Sequence, residues 1–217
     1  KVDPALYQHE EPSDVGNDMR MLVSDMAGKA SIELKSVELG VDLGDDAGVV
    51  GRVVAKVKDL ESRGWTFEAA DASFELLLRG EITGERPRFF TVDSWKANVD
   101  RLENGDVISE ATVHITANGE KLVTTGRGNG PVNAIDNALR SGLEKFYPEL
   151  ADLELTDYKV RILEGRQGTG AVTRVLVETS DGVTEWTTLG VHENVIAASA
   201  MALEDAITFG LLRKRLS

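Results

Sequence analysis

Apolar residues along this chain change period. Between residues 21 and 80 they recur at helical spacing. Val49, Val53, Val57 and Leu60 fall at i, i+4, i+8 and i+11, which predicts a helix closed by Gly64. Ile32, Val37, Leu39 and Val41 read as the apolar side of an earlier helix, stopped by Gly40 and Gly44. Phe74, Leu77 and Leu78 continue the pattern after Asp71, a residue type suited to an N-cap. From Pro87 onward the period drops to two. Phe89 to Val99, Ser109 to Ala117 and Lys121 to Gly126 read as strands, and Asn118-Gly119 predicts a two-residue hairpin because both positions favour φ > 0. Helical spacing returns after Pro131. Val132, Ile135, Leu139, Leu143 and Phe146 mark the buried face of a helix that Pro148 ends.

The strand-rich half then repeats. Adding 63 to each number pairs Trp95 with Tyr158, Lys96 with Lys159, Thr116 with Thr179 and Asn118-Gly119 with Asp181-Gly182. Thr124-Thr125 falls on Thr187-Thr188, Val132 on Val195, and Phe146 on Phe209, in a register read as ungapped. The expected fold is α+β: a small helical subdomain over 21–86, then a domain over 87–217 made of two pseudo-symmetric βββα units, 87–150 and 151–217. The last helix, from about Glu193 to Leu212, is apolar nearly all round, so either the twin unit or a second subunit must cover it. Arg213, Lys214 and Arg215 suit its negative end. Residues 1–20 read as a linker, broken by Pro4 and Pro12, and a further domain is expected before Lys1.

Composition narrows the chemistry. The chain has 217 residues, no cysteine and a formal charge of −13. Disulfides, thiolate metal sites and a Cys nucleophile are excluded, and a reducing, cytoplasmic home is expected. The acidity and the lack of a basic stripe argue against nucleic acid. No apolar run is read as a membrane span, so no membrane partner is expected.

Histidines stand alone at His9, His114 and His192, with no metal-ligand spacing and no Ser-His-Asp pattern. The run from Gly126 to Pro131 leads a strand into a helix. Tight helix entry and capture of a carboxylate by free N–H groups both account for it. The junction Leu189 to Asn194 looks related, and two such helix starts meeting at one interface would suit a small amino acid. The run from Gly165 to Gly170 reads as a hairpin loop.

Several segments resemble the α-isopropylmalate synthase and (R)-citramalate synthase family. They are Gly126 to Ala134 (Gly-Arg-Gly-Asn-Gly-Pro-Val-Asn-Ala), Leu155 to Arg161 (Leu-Thr-Asp-Tyr-Lys-Val-Arg), Gly168 to Val175, and Gly190-Val191 with Asn194 to Ser199. Val15 to Asn17 and Val23 to Lys29 resemble the family's post-barrel linker, and Gly64 to Leu76 is most similar to the citramalate branch. The resemblance implies a parent that condenses acetyl-CoA with a 2-oxo acid on a barrel holding a divalent metal. It places that barrel outside this chain, which would be inactive alone, with no catalytic residue, cofactor or metal of its own. His9 matches a linker histidine that reaches a neighbouring active site in some members. The remainder would be a regulatory, homodimer-forming region that binds a branched-chain amino acid, isoleucine by preference and leucine in the isopropylmalate branch. Carried over by motif, Val132, Asn133, Leu155, Tyr158, Ile162 and Val172 would bind the effector, and Gly128, Asn129 and Gly130 would cradle its carboxylate. A free-standing enzyme and a purely structural dimerisation module are the competing readings.

Overall fold

The computed structural model describes residues 28–163 and 170–216. The expected linker over 1–20 with His9, and Gly165 to Thr169 of the second glycine run, lie outside the described residues. Helices α1 (Lys29–Glu38), α2 (Val49–Ser62) and α3 (Asp71–Thr83) come first. Strands β1 (Phe90–Arg101), β2 (Val107–Ala117) and β3 (Glu120–Gly128) lead into α4 (Pro131–Leu143). A 3-10 turn over Pro148–Asp152 joins this unit to β4 (Glu154–Ile162), β5 (Thr173–Ser180), β6 (Glu185–His192) and α5 (Val195–Leu216). The fold is α+β with two βββα units. Each unit forms an antiparallel three-stranded sheet, ordered β1-β2-β3 and β4-β5-β6. Helix α4 covers β2 and β3, α5 covers β5 and β6, and the two helices touch, so one core runs between the sheets.

The internal repeat is real but carries a slip. Thr124 Oγ1 donates to the Ala138 carbonyl and Thr188 Oγ1 to the Ala202 carbonyl, both at 2.8 Å, and these equivalents lie 64 apart rather than 63. The bulges in the first strands, at Val92/Ser94 and Leu155/Asp157, do lie 63 apart. One extra residue therefore enters between β4 and β5. It moves the true match of Asn118-Gly119 to Gly182-Val183. In the first hairpin Asn118 and Gly119 take φ of 49° and 79°, as predicted. In the second, Asp181 Oδ1 accepts the N–H groups of Val183 and Thr184 at 3.1 and 2.8 Å. A strand's side chains alternate, but the intact bulge and ladder preserve each unit's inward face across the slip.

Both helices lie close on their sheets. A Cβ on Gly126 would sit 2.4 Å from the Ala138 nitrogen, and one on Gly190 would sit 1.8 Å from the Ala198 carbonyl oxygen. Gly126 and Gly128 accordingly belong to β3 and not to a loop.

Helix α1 departs from expectation. Ile32 is buried, but Val37 is 77 % exposed. Five residues turn a helix by about 500°, which swings Val37 well off the Ile32 face. Lys35 takes the buried position instead, at 1 % exposure, paired with Glu38 and with Asp71 of α3, each at 2.9 Å. Asp71 is then the first helical residue; the cap position falls to Ala70, with no side-chain cap bond. The α2 stripe is as predicted, with Val49, Val53 and Val57 buried and Leu60 packed beside them.

The helical part packs on the outer face of the second sheet through Val172, Leu176, Leu189 and Val191. Two polar ties fix it. Arg174 Nε donates to the Gly64 carbonyl at 2.9 Å. Ser73 Oγ accepts the Leu189 N–H at 2.9 Å and donates to Asp205 of α5 at 2.9 Å, while Arg86 donates to the same carboxylate oxygen at 2.7 Å. Ser73 thus satisfies a free edge group of β6. Helix α5 runs four residues past the expected Leu212. On length and composition it could cross a membrane, but most of it is enclosed by the second sheet, α3, α4 and the 3-10 turn.

Glu204 adjoins the Ser73–Asp205–Arg86 node. Burial, with the Asp205 charge beside it, pushes its carboxyl from 4.5 up to about 7, against the pull of Arg88 and Arg86. A raised acid binds its proton more tightly in the folded chain. Its contribution is fully present below about pH 4.5 and is lost as pH rises through about 7. Glu204→Gln should flatten that part of the stability–pH curve and stabilise the chain at about pH 8, by about 2 kcal/mol. Denaturant titrations across this range check it, and an unchanged slope would mean the carboxyl is solvated.

Candidate functional site: a cleft at the start of the fourth helix

Pro131 occupies the first turn of α4, where its missing N–H costs nothing. The next two N–H groups, of Val132 and Asn133, have no acceptor within the helix. Asn133 folds its side chain back so that Oδ1 accepts the Asn129 N–H at 3.3 Å. This leaves a helix start whose positive end faces a cleft of about 860 Å³. The opposite wall comes from the 3-10 turn and β4, with Leu153, Leu155 and Tyr158.

Of the residues singled out in the sequence, Asn129, Gly130, Val132, Asn133, Leu155 and Tyr158 line this cleft. Three do not. Gly128 lies in β3 against α4, where a Cβ would come 2.5 Å from Asn133 Oδ1, so its role is close packing. Ile162 sits near the far end of β4, 68 % exposed. Val172 packs with Leu189 and Val191 under the helical part, on the face of the second sheet opposite Tyr158.

The two helix starts also differ. Asn194 Oδ1 accepts the N–H groups of Ile196 and Ala197 at 2.9 and 3.1 Å, and His192 Nδ1 accepts the Asn194 N–H at 2.8 Å. The start of α5 is therefore capped by its own side chain, and the start of α4 is not. The cleft has one open helix end rather than two. His114 points outward from β2, as alternation predicts.

Sequence reasoning missed the polar side of the cleft. Asp136 and Arg140 line it and form an i,i+4 pair, with Arg140 Nε donating to both carboxylate oxygens at 3.0 and 3.1 Å. Arg140 Nη1 also donates to the Leu150 and Leu153 carbonyls at 3.3 and 2.6 Å. Burial raises the Asp136 carboxyl above the usual range, and Arg140 pulls against that shift. The spacing was visible on a predicted helix. The role of Ser199 was also missed: it closes the Asn194 to Ser199 segment, but nothing there points to the cleft. Its hydroxyl donates to the Val195 carbonyl at 2.6 Å, which leaves its oxygen to accept the Tyr158 hydroxyl at 2.7 Å. Tyr158 thus ties the cleft wall to α5.

Among the described residues, no group of three or more His, Asp or Glu gathers to hold a metal. A cleft of this size, with an anion-favouring helix end, a buried ion pair and an aliphatic and aromatic wall, suits a small zwitterion with an apolar side chain.

Comparison with known proteins agrees with this architecture. Residues 68–211 match the family described as the LeuA allosteric (dimerisation) domain. The (R)-citramalate synthase of Streptomyces coelicolor is 63 % identical over 98 % of this chain and 40 % of its own length. That of Synechocystis is 45 % identical over 96 % of the chain and 39 % of its own length, and that of Sulfolobus acidocaldarius 35 % identical over 97 % and 38 %. The chain spans about 40 % of the length of these curated relatives. With the family matched over most of its length, and with two βββα units, the chain belongs to the LeuA allosteric (dimerisation) domain family.

Proposed function

We propose that this chain is the amino-acid-sensing, dimer-forming regulatory part of a citramalate synthase, with isoleucine as the effector held in the cleft at α4. The convergence of Val132, Asn133, Leu155 and Tyr158 on one cleft carries the reading. The N–H groups of Val132 and Asn133 take the carboxylate. Leu155 and Tyr158 enclose the branched side chain. The parent reaction we assign, condensation of acetyl-CoA with pyruvate, rests on the family resemblance and accords with relatives named (R)-citramalate synthase. Catalysis, the divalent metal and any role for His9 belong to the whole enzyme, and this chain alone is expected to be inactive. The mechanism is differential binding: isoleucine favours one arrangement of the two units, and the parent is less active in it. A cytoplasmic location accompanies that role.

A dimer has its own support. Tyr158, Val160 and Ile162 alternate on one face of β4, an edge strand, and are 37, 46 and 68 % exposed. Their cross-strand partners Val177, Val175 and Thr173 face α5, so these three residues lie where the covered face extends beyond the helix. A second copy covers that strip and brings Ile162 towards an effector site.

Calorimetric titration tests the sensing. Isoleucine should bind more tightly than leucine, and Tyr158→Ala should weaken isoleucine about tenfold or more, a loss of about 1.4 kcal/mol. Tighter leucine binding would move the effector to the isopropylmalate branch. Absence of binding to either, with an unchanged melting temperature, would leave a structural dimer. Sedimentation tests the interface: Ile162→Asp, at an exposed position, should convert a dimer to a folded monomer, and an unaltered dimer would place the interface elsewhere.

A further inference from the structure

Three carboxylates line the cleft at α4, and they differ in setting. Asp152 and Glu154 are exposed, and Asp152 leans towards Lys214 at 3.5 Å. Asp136 is only 8 % exposed. A buried carboxylate is costly unless its charge is used, and its pairing to Arg140 answers that cost in part. A carboxylate offers about four lone-pair directions, and Arg140 Nε engages one on each oxygen. Acceptor capacity therefore remains. Arg140 is itself held by the carbonyl of Leu150 in the 3-10 turn and that of Leu153 just after it, so the carboxylate it grips has a fixed orientation.

Position adds to chemistry. Asp136 follows Val132 and Asn133 by about one helical turn, a rise of about 5 Å. An α-amino acid carries its carboxylate and ammonium on one carbon. With the carboxylate on the open helix end, the ammonium falls near the next turn.

We infer that Asp136 is the ammonium-recognising residue of this cleft, oriented by Arg140, so that the site selects α-amino acids over the corresponding hydroxy and oxo acids. This rests on the amino-acid reading above and extends it to specificity. A site next to 2-oxo acid chemistry needs such a filter, because an isosteric keto or hydroxy acid shares the carboxylate and the side chain. Arg140 is a positioning residue: it does not touch the ligand's ammonium but fixes the carboxylate that does.

The test compares isoleucine with 2-hydroxy-3-methylpentanoate, its analogue with a hydroxyl in place of the ammonium. Calorimetry on the full chain should show the wild type preferring isoleucine. Asp136→Asn should lose about tenfold or more in isoleucine affinity while the hydroxy acid changes less than about threefold. A merely structural pair would lower both affinities together, and that result overturns the assignment, as does unchanged isoleucine binding. Should Asp136→Asn unfold, the double variant Asp136→Leu, Arg140→Met replaces the pair with apolar side chains, an exchange buried ion pairs often tolerate. It must also lose the preference for isoleucine, and a retained preference overturns the assignment. A wild-type chain that binds neither ligand overturns the amino-acid reading itself, and this assignment with it.

Discussion

Helix α5 is apolar on nearly every side, and the rest of the fold is arranged to cover it. The second sheet takes one face, α4 and the 3-10 turn take another, and α3 closes a third. Burial at about 25 cal/mol per Å² of apolar surface supplies the drive, but it has no direction. Direction comes from a few polar groups on the same helix. Asp205 meets Ser73 and Arg86 on the helical side. Ser199 meets Tyr158 on the cleft side. Each would be expensive to bury unpaired, so each pins one neighbour to one place.

The cleft follows from this packing. Sheet and helix of the first unit set the open end of α4 against β4 of the second. A ligand there touches both units at once. Tyr158 connects that wall to α5, and α5 connects through Asp205 to the helical part. Coupling between sites requires such a shared element, and a differential affinity of about 1–3 kcal/mol is enough to matter. The asymmetry between the two helix starts decides which end is available. Asn194 caps α5, while Pro131 and the turned-back Asn133 leave α4 open.

Much of this was legible in the residues. Spacing of Val49, Val53 and Val57 gave α2, and Asn118-Gly119 gave its hairpin, because local periodicity and turn chemistry decide those elements. The repeat was legible too, but its register beyond β4 was not, since pairs of like residues such as Thr124-Thr125 and Thr187-Thr188 still match when displaced by one. Contacts distant in sequence were out of reach. Nothing near Lys35 announces Asp71 as its buried partner, and nothing near Ser199 announces Tyr158. Val172 shows the opposite failure. Apolar character suited both the cleft and a packing role, and strand alternation placed it under the helical part.

The central claim is that one amino acid in the α4 cleft is felt by both units through α5. Hydrogen–deuterium exchange with and without isoleucine tests this most directly. The account predicts slowed exchange together at 129–140, at 153–158 and at 195–203, the segments that line the cleft or join it to α5. Protection confined to the start of α4, or none at all, would contradict it.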